Sequence, residues 1–433
     1  MTGRPSARAV ALDVIRRVTE QGAYSNLTLA GALQRSDLSA RDRALASELA
    51  YGTIRRRGSI DWLLAPLLDR PLADARPSGL ALLRLGAYQI MFTRIPAHAA
   101  VSETVGLAHP KERGFVNAVL RRVASGVPEW PLGQADADIS VRTGLSEWAV
   151  GELRRYAGDA VEDAAEALAQ RAPVTLRTNT CRSSVEDLES ALTEARVRTI
   201  RGDLHPSSLL LESGAPVDLP GFQEGRFAVQ DQASSFVVDA LDPRPGDRVL
   251  DVCAGPGGKA AHIACLVGPQ GRLVAGDVAV QRARLVTGTA DRLGVRALVL
   301  AHDGRRPAVR GGFDRVLVDA PCSGIGSARR RPELLWRAEK RDLSALARLQ
   351  VGIATAAAEL LRPGGRLIYS VCTFPRAETD AVCDALLRRV PALEPVALEG
   401  PEGPAERIRL WPHLHGTDAM FLAGFELRDR TAG

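Results

Sequence analysis

The sequence has no apolar run approaching the roughly 18 residues that a membrane-spanning helix needs. Its first residues, Met1 to Arg8, lack the apolar core of a secretory signal peptide. The six cysteines are scattered and include no CxxC pair, which argues against a zinc site and against a disulfide framework. We therefore expect a cytoplasmic protein in which Cys181, Cys265 and Cys383 are small buried residues.

Lysine is also scarce, because Lys111, Lys259 and Lys340 are the only lysines among 56 basic residues. An arginine-rich coding bias explains most of this ratio. Three local arginine runs nevertheless favour a polyanionic partner, since arginine contacts phosphate groups. These runs lie at residues 55–57, 121–122 and 329–331. The remaining composition, 45% hydrophobic and 25% charged, is typical of a globular chain, and the length of 433 residues predicts two or three domains.

Residues 1–140 show apolar positions at helical spacing without strand-like alternation, which predicts an all-α domain. The clearest stretches are residues 7–18 and 80–91, and Pro96 should separate the second helix from the next. A further helix should carry Arg121 and Arg122, with Phe115, Ala118 and Val119 on its apolar side. Periodicity alone does not distinguish this domain from other helical modules.

Short sequence motifs within this domain are more specific than its helical periodicity. Residues 83–92, 94–98, 101–105 and 114–122 resemble the NusB family of RNA-binding helical domains. The resemblance implies RNA binding through arginines on an exposed helical face. The alternative, that the domain only packs against the rest of the chain, stays open.

Residues 141–225 are predicted to form a small α+β domain. Strands are expected at 173–179 and 208–211, with a helix at 186–195 between them. Arg177 and Asn179 could contact RNA, and a structural role for them is an equal alternative.

Residues 226–433 alternate strands with helices, which predicts a doubly wound, Rossmann-like α/β domain. The predicted strands are 248–251, 273–277, 297–300, 314–319 and 366–371, with a long helix at 343–361. Ligands of such sheets bind in the crevice at the carboxyl ends of the strands. The chain is thus expected to be multi-domain, with all-α, α+β and α/β parts in that order.

A glycine-rich loop follows the first strand of this third domain and runs Asp251-Val-Cys253-Ala254-Gly255-Pro256-Gly257-Gly258-Lys259. Glycines let a ligand approach the backbone, and the helix start offers free N–H groups. Asp277 ends the next strand, where a carboxylate can accept ribose hydroxyls. Asp303 follows a later strand and is placed to reach an adenine amino group. The loop also fits the dinucleotide fingerprint, so the glycines leave a nicotinamide cofactor and S-adenosylmethionine both open.

Two predicted strands end in cysteine, in Asp319-Ala-Pro-Cys322 and in Val371-Cys372. Methylation of cytosine at C5 needs a thiolate on C6, an acid near N3 and assistance with product release. Cys322, Cys372 and Asp319 would supply these groups, whereas an oxidoreductase has no evident use for them. An enzyme that methylates an exocyclic amino group should instead carry Asn/Asp-Pro-Pro-aromatic in this loop. The pattern therefore favours methylation of a ring carbon with S-adenosylmethionine.

Five short sequence motifs in the third domain resemble those of the NOL1/NOP2/Sun family of RNA cytosine-C5 methyltransferases. These motifs lie at residues 229–235, 251–259, 319–326, 330–333 and 369–373. The resemblance implies that Cys372 is the nucleophile, that Cys322 assists release of the methylated RNA, and that Asp319 lies at cytosine N3. It also assigns a set of residues to the cofactor, namely residues 253–259, Asp277, Arg282, Asp303 and Asp319. Together with the NusB-like domain, it implies the bacterial type that methylates a cytidine of small-subunit (16S) ribosomal RNA.

Three positions depart from the family pattern. Gly255 stands where alanine is usual, Val371 stands where threonine is usual, and residues 416–421 replace an Asp-Gly-Phe-Phe sequence. These departures concern the positioning of the substrate more than the chemistry.

Several alternatives stay open at this point. The run at 329–331 lies either on a solvated face or at a phosphate beside the site, and Trp336 either stacks on a base or packs in a core. The function could also be that of a non-catalytic RNA-binding or assembly factor, and the substrate could be transfer RNA. We expect a monomer without a metal and without a membrane partner.

Overall fold

The computed structural model describes residues 6–126 and 128–428, which divide into two compact units. The first unit contains the residues up to Gln170 together with Ala328–Glu339, and the second contains Arg171–Ser327 and the residues from Lys340 onward. Within these ranges no helix is both long and apolar enough to cross a membrane. The outermost residues of the predicted first and third domains, 1–5 and 429–433, lie outside the described residues. The predicted domain limits at 140 and 225 stay a proposal.

The helices are α1 (Ala7–Glu20), α2 (Ser25–Gln34), α3 (Ala40–Arg55), α4 (Arg57–Leu64), α5 (Pro77–Phe92), α6 (Ala97–Leu107), α7 (Arg113–Ser125), α8 (Asp136–Thr143), α9 (Glu147–Ala157), α10 (Val161–Leu168), α11 (Val185–Glu194), α12 (Gln232–Leu241), α13 (Gly258–Val267), α14 (Val280–Leu293), α15 (Leu334–Arg337), α16 (Leu343–Ala358), α17 (Asp380–Arg389) and α18 (Pro412–His415). The strands are β1 (Val174–Thr178), β2 (Thr199–Arg201), β3 (Ser208–Leu211), β4 (Phe227–Val229), β5 (Arg248–Asp251), β6 (Arg272–Asp277), β7 (Leu298–Ala301), β8 (Phe313–Asp319), β9 (Leu361–Val371), β10 (Leu393–Val396), β11 (Arg407–Leu410) and β12 (Met420–Leu427).

The first unit is helical, as predicted, and its core forms where the apolar faces of α1, α3, α5 and α7 meet. Helix α5 is buried on nearly all sides from Gly79 to Gln89, which makes it the centre of this core. In α7 the buried face runs through Val116, Val119 and Val123 at helical spacing. The predictions for Phe115 and Ala118 are wrong, because both lie off this face: Phe115 is 46% exposed, and Ala118 is exposed as well.

The segment Ala328–Glu339, which follows the predicted catalytic loop in sequence, belongs to the helical unit. Glu333 is fully buried there, and its Oε1 accepts a hydrogen bond from the Ser25 N–H at 3.2 Å. The indole N–H of Trp336 donates to the Ile54 carbonyl at 2.9 Å, and the ring packs against the helical core. Of the two alternatives for Trp336, the structure therefore selects core packing.

Arginines complete the attachment of this segment. Arg337 donates to the carbonyl oxygens of Val18, Gly22 and Ala23, which end or follow α1. Arg329 is buried, and its two neighbours in the arginine run are partly buried. The run therefore does not form a fully solvated face.

A four-stranded antiparallel sheet with the order β2-β3-β1-β4 opens the second unit, and α11 packs on it. This is the α+β arrangement that the sequence predicted. Arg177 is 1% exposed and donates from Nε to Gln230 Oε1 at 2.9 Å. Asn179 donates from Nδ2 to the carbonyl oxygens of Gly225 and Leu293. These buried bonds give both residues a structural role and leave neither available to RNA.

The large sheet of the second unit has eight strands in the order β10-β12-β9-β8-β5-β6-β7, with β11 paired to β12. Strands β9, β8, β5, β6 and β7 are parallel, and β12 runs antiparallel to β9. Successive residues of β8, such as Val316 and Leu317, belong to different apolar clusters, so both faces of the sheet are covered. The predicted doubly wound α/β fold is confirmed.

Two expectations for the cysteines are wrong. Cys181 is exposed and Cys265 is only partly buried, although both were predicted to be buried. Cys181 and Cys265 form a disulfide with Cα atoms 5.8 Å apart, although the scattered cysteines argued against any such bond. Cys181 follows β1 and Cys265 lies in α13, so the partners are 84 residues apart and no local motif marks them. Cys383 is free and buried, as expected.

Candidate active site

The carboxyl ends of β8 and β9 bring two thiols together. Parallel pairing places Asp319 opposite Ser370, so the loops that leave the two strands start side by side. The Sγ atoms of Cys322 and Cys372 are 3.5 Å apart, and both residues are partly buried and remain as thiols. Two predicted catalytic residues are therefore in contact, at the edge of the sheet where ligands of this fold bind.

An ion pair lies beside these thiols. Lys259 Nζ is 2.7 Å from Asp319 Oδ2 and 3.3 Å from Ser234 Oγ, and the lysine side chain is only 13% exposed. Asp319 Oδ1 accepts a hydrogen bond from Ser370 Oγ at 2.9 Å. Lys259 therefore faces the interior of the site and does not extend into solvent from the start of its helix.

The charges around the two thiols differ. Burial works against the ammonium of Lys259, but the Asp319 carboxylate and the charge of Cys372 outweigh it and raise the lysine pKa. The pKa of Cys322 is raised well above its usual value by the hydrogen bond to Cys372, by burial, and by negative groups that include Glu378 and Asp319. The Lys259 ammonium thus interacts favourably with negative charge at Cys372 and Asp319, whereas the surroundings of Cys322 raise the pKa of its thiol.

Two carboxyl groups at the site were not recognised as site residues in the sequence. Glu378 is fully buried and accepts hydrogen bonds from the Ser323 backbone and from Gln350. Its only sequence signal is its position six residues after Cys372, which many structural residues share. Asp251 was recognised as part of the glycine loop but received no role.

Asp251 ends β5 and is completely buried. Neither carboxylate oxygen has a hydrogen-bond partner, and the nearby N–H of Cys253 does not reach normal hydrogen-bond geometry. Burial and the charge of Asp319 raise the pKa of Asp251 to about 7, against the opposing effect of Lys259. The site therefore contains, besides Asp319, the carboxyl group of Asp251, which can be neutral near physiological pH.

The glycine loop adjoins Asp277 and Arg282, two of the residues predicted to bind the cofactor. The Gly255 N–H donates to Asp277 Oδ2 at 3.2 Å, and Arg282 donates to the same oxygen and to the Gly255 carbonyl. A Cβ atom at Gly255 would lie 2.5 Å from Asp277 Oδ2 and 2.9 Å from Arg282 Nε. The glycine that departs from the family pattern is thus matched to the close approach of these two side chains.

Gly257 has a different reason to be glycine. Its φ of +108° lies in the left-handed region, and a Cβ atom would lie 2.9 Å from the Cα atom of Val286. The remaining loop residues, Cys253, Ala254, Pro256 and Gly258, connect β5 to the start of α13. The loop therefore presents backbone, with few side chains, at the first turn of that helix.

Asp303 follows β7, and its bonding separates it from the other predicted cofactor residues. Its carboxylate accepts hydrogen bonds from the side chain and backbone N–H of Arg305, which lower its pKa to about 2. Among the described residues, these bonds tie Asp303 to its own loop and not to the glycine loop. Its placement toward an adenine stays a prediction.

Comparison with known proteins matches successive parts of the chain to three family profiles. They are the NusB family over residues 5–125, the RsmF/B-like ferredoxin-like domain over 145–218, and the 16S rRNA methyltransferase RsmB/F family over 238–426. The ribosomal RNA small subunit methyltransferase B of Escherichia coli O6:K15:H31 (strain 536 / UPEC) is 35% identical over 415 residues, covering 94% of this chain and 96% of its own length.

This chain belongs to the RsmB/F family of 16S rRNA methyltransferases. It is therefore an RNA methyltransferase, and the predicted resemblances to this family and to NusB are confirmed. The family membership also excludes the alternative function of a nicotinamide-dependent oxidoreductase, which the glycine loop alone had left open.

A further relative and two solved structures also match large parts of the chain. A Mycobacterium tuberculosis protein described as a candidate methyltransferase is 40% identical over 441 residues, covering 96% of this chain and 95% of its own. The crystal structure of the protein PH0851 has a TM-score of 0.85 and 25% identity, covering 98% of this chain and 99% of its own. A methyltransferase homologue from Pyrococcus horikoshii has a TM-score of 0.59 and 28% identity, covering 68% of this chain and 100% of its own.

Proposed function

We propose that this RsmB/F enzyme methylates C5 of a cytidine in small-subunit ribosomal RNA, using S-adenosylmethionine and a covalent adduct between Cys372 and C6. The observation that carries the proposal is the contact of two thiols, 3.5 Å apart, beside the Lys259–Asp319 ion pair. A single nucleophile would need one cysteine. Two thiols facing one small space match a reaction in which a bond to sulfur must form and later break.

Cys372 is the attacking group in this proposal because the family resemblance assigns the attack to the cysteine that follows β9, and the Lys259 ammonium interacts favourably with negative charge there. Its sulfur forms a bond to C6, and the electrons of the C5–C6 double bond move into the ring, so that C5 becomes nucleophilic. Asp319, held by Lys259 and Ser370, lies at the N3 side of the base, where it balances the charge that develops on the ring.

Cys322 acts at the end of the reaction. After C5 has received the methyl group, its proton passes to a base from the solvent, the C5–C6 double bond re-forms, and the C6–sulfur bond breaks so that its electron pair returns to the Cys372 sulfur. Cys322 contacts the departing sulfur atom and is held as a thiol before the reaction, which suits a role in release and not in attack.

The residues around the glycine loop fit S-adenosylmethionine, which would supply an electrophilic methyl group. The loop presents backbone with few side chains at the start of α13, and the buried Asp251 oxygens have no partner within the protein. We assign residues 253–259 to the methionine part, Asp277 and Arg282 to the ribose side, and Asp303 to the adenine. Asp319, which contacts Lys259, is the residue common to the cofactor and base sides.

Methylation assays with two cysteine variants test the proposal. Cys372→Ala should abolish formation of 5-methylcytosine and leave no adduct, whereas Cys322→Ala should trap a protein–RNA adduct that survives denaturing electrophoresis. Cys383→Ala, which removes the buried thiol of α17, is the matched control and should retain activity.

The outcomes that would overturn the assignment are equally specific. Reversed behaviour of the two variants would make Cys322 the nucleophile. Bisulfite sequencing should place the product in 16S ribosomal RNA, and methylation of transfer RNA alone would refute the proposed substrate. S-adenosylmethionine, but not NAD, should raise the melting temperature of the wild type.

A further inference from the structure

The loops that carry the two thiols meet at one carboxylate, that of Glu378. The backbone N–H of Ser323, the residue after Cys322, donates to Glu378 Oε1 at 2.8 Å, and Ser323 Oγ donates to Oε2 at 2.5 Å. The hydroxyl of Thr373, the residue after Cys372, lies 2.7 Å from Ser323 Oγ and 3.5 Å from Glu378 Oε2. One side chain thus contacts the residue that directly follows each cysteine.

This carboxylate is unfavourable to bury. Glu378 is 0% exposed, and burial raises its pKa, while the hydrogen bonds from Ser323 and Gln350 oppose the increase. A buried carboxylate destabilises a fold unless donors surround it, and here every contact with the carboxylate is made by a group that can donate. Gln350 Nε2 donates both to Glu378 Oε1 at 2.9 Å and to the Pro321 carbonyl at 3.0 Å, which extends the same network to the residue before Cys322.

We propose that Glu378 is a positioning residue that sets the separation and orientation of Cys322 and Cys372, so that both thiols address the same base. The proposal rests on the two-cysteine reaction proposed above. Glu378 acts through the backbone of Ser323 and the hydroxyl of Thr373, and it makes no hydrogen bond to either sulfur. Loss of its carboxylate would leave the Ser323 N–H without its acceptor and would let the Cys322 loop move relative to β9.

The donors around Glu378 predict how two substitutions should differ. Oε1 faces the Ser323 N–H and Gln350 Nε2, which can only donate, whereas Oε2 faces two hydroxyls, which can also accept. In Glu378→Gln the amide oxygen can take the Oε1 place, and the NH₂ group can donate to the hydroxyls. Glu378→Ala satisfies none of these groups. A positioning role therefore predicts rescue by glutamine and failure with alanine.

The separation of the thiols can be measured without RNA or cofactor. Phenylarsine oxide closes a ring across two nearby thiols, and intact-protein mass spectrometry without reductant counts its binding while the Cys181–Cys265 disulfide stays closed. Wild type and Glu378→Gln should bind it through Cys322 and Cys372, Glu378→Ala should bind it more weakly, and Cys322→Ala should not bind it. With substrate RNA, Glu378→Ala should lower kcat about 100-fold with little change in KM, as expected when reacting groups are misplaced by about 1 Å.

The matched control is Tyr369→Phe, because the Tyr369 hydroxyl donates to the backbone carbonyl of Glu378 at 2.6 Å but not to its carboxylate. This variant should lower the melting temperature and leave arsenical binding and kcat near wild type. The proposal is overturned if Glu378→Ala keeps wild-type arsenical binding and kcat, or if Tyr369→Phe reduces both to the same extent. A wild type that forms no 5-methylcytosine would refute the proposed reaction, while arsenical binding would still report whether Glu378 holds the thiols together.

Discussion

Asp251 should make the ligand-free protein less stable as pH rises from about 4 to about 7. Its buried carboxyl group has a folded-state pKa of about 7, raised from 3.8. Between these values the folded chain keeps a proton that the unfolded chain has lost. The unfolded chain binds fewer protons, so the unfolding free energy falls with pH in this window, and the loss is complete above the folded-state pKa.

The structure sets the size of this effect. A rise from 3.8 to about 7 is about three pKa units, which corresponds to about 4 kcal/mol at 1.36 kcal/mol per unit. The amide side chain of the variant Asp251→Asn has no proton to lose. The stability of wild type relative to Asp251→Asn should therefore fall by up to about 4 kcal/mol over this range, because other titrating groups are common to both proteins.

Unfolding in urea, monitored by hydrogen exchange of the backbone amides of β5 and β6, measures this difference in stability within the second unit. Asp314→Asn is a useful control, because the Arg248 N–H and Arg362 lower the pKa of Asp314 in spite of its partial burial. The stabilisation from Asp314 should disappear at low pH, in the opposite sense to Asp251. Parallel stability curves for wild type and Asp251→Asn would show that Asp251 is ionised throughout and would refute the reasoning.

Two further predictions concern the helical unit and the disulfide. Trp336→Ala should destabilise the helical unit by about 3–5 kcal/mol and increase hydrogen exchange in α3 and α4. Leu132→Ala, which changes a side chain that is 86% exposed, should do neither. Unchanged hydrogen exchange in Trp336→Ala would show that the segment 328–339 does not support this core. Cys181→Ser should lower the stability of the second unit by up to roughly 4–5 kcal/mol for a loop of this length. Reductant should lower the melting temperature of wild type to that of Cys181→Ser and leave the variant unchanged, and an unaffected wild type would contradict the prediction.

Much of the site followed from the sequence because its chemistry is local. A cysteine after a buried strand and a glycine loop before a helix each span fewer than ten residues. The rule that parallel strands end at one edge of the sheet then predicts that Cys322 and Cys372 lie close together. The NusB-like and methyltransferase sequence motifs added the order of the domains and the roles that we propose for the residues.

The missed features depend on partners far away in the sequence. Glu378 reaches Ser323 across 55 residues, and Cys181 reaches Cys265 across 84. Nothing near Glu378 distinguishes it from an exposed glutamate. Trp336 and Arg177 are residue types that often contact RNA. Their burial depends on their neighbours in the fold, which residue type alone does not predict. Phe115 was assigned to the wrong face because one residue of shift turns a helical side chain by about 100°.

The membership of residues 328–339 in the helical unit has a consequence for synthesis on the ribosome. Residues up to Gln170 emerge long before this segment, so the helical unit cannot gain Glu333 and Trp336 until roughly 170 further residues have been added. At about 5–20 residues per second this delay is roughly 10–30 s. During that interval the positions of both side chains in the nascent helical unit are unfilled, which makes the unit a candidate for chaperone contact until residues 328–339 have been translated.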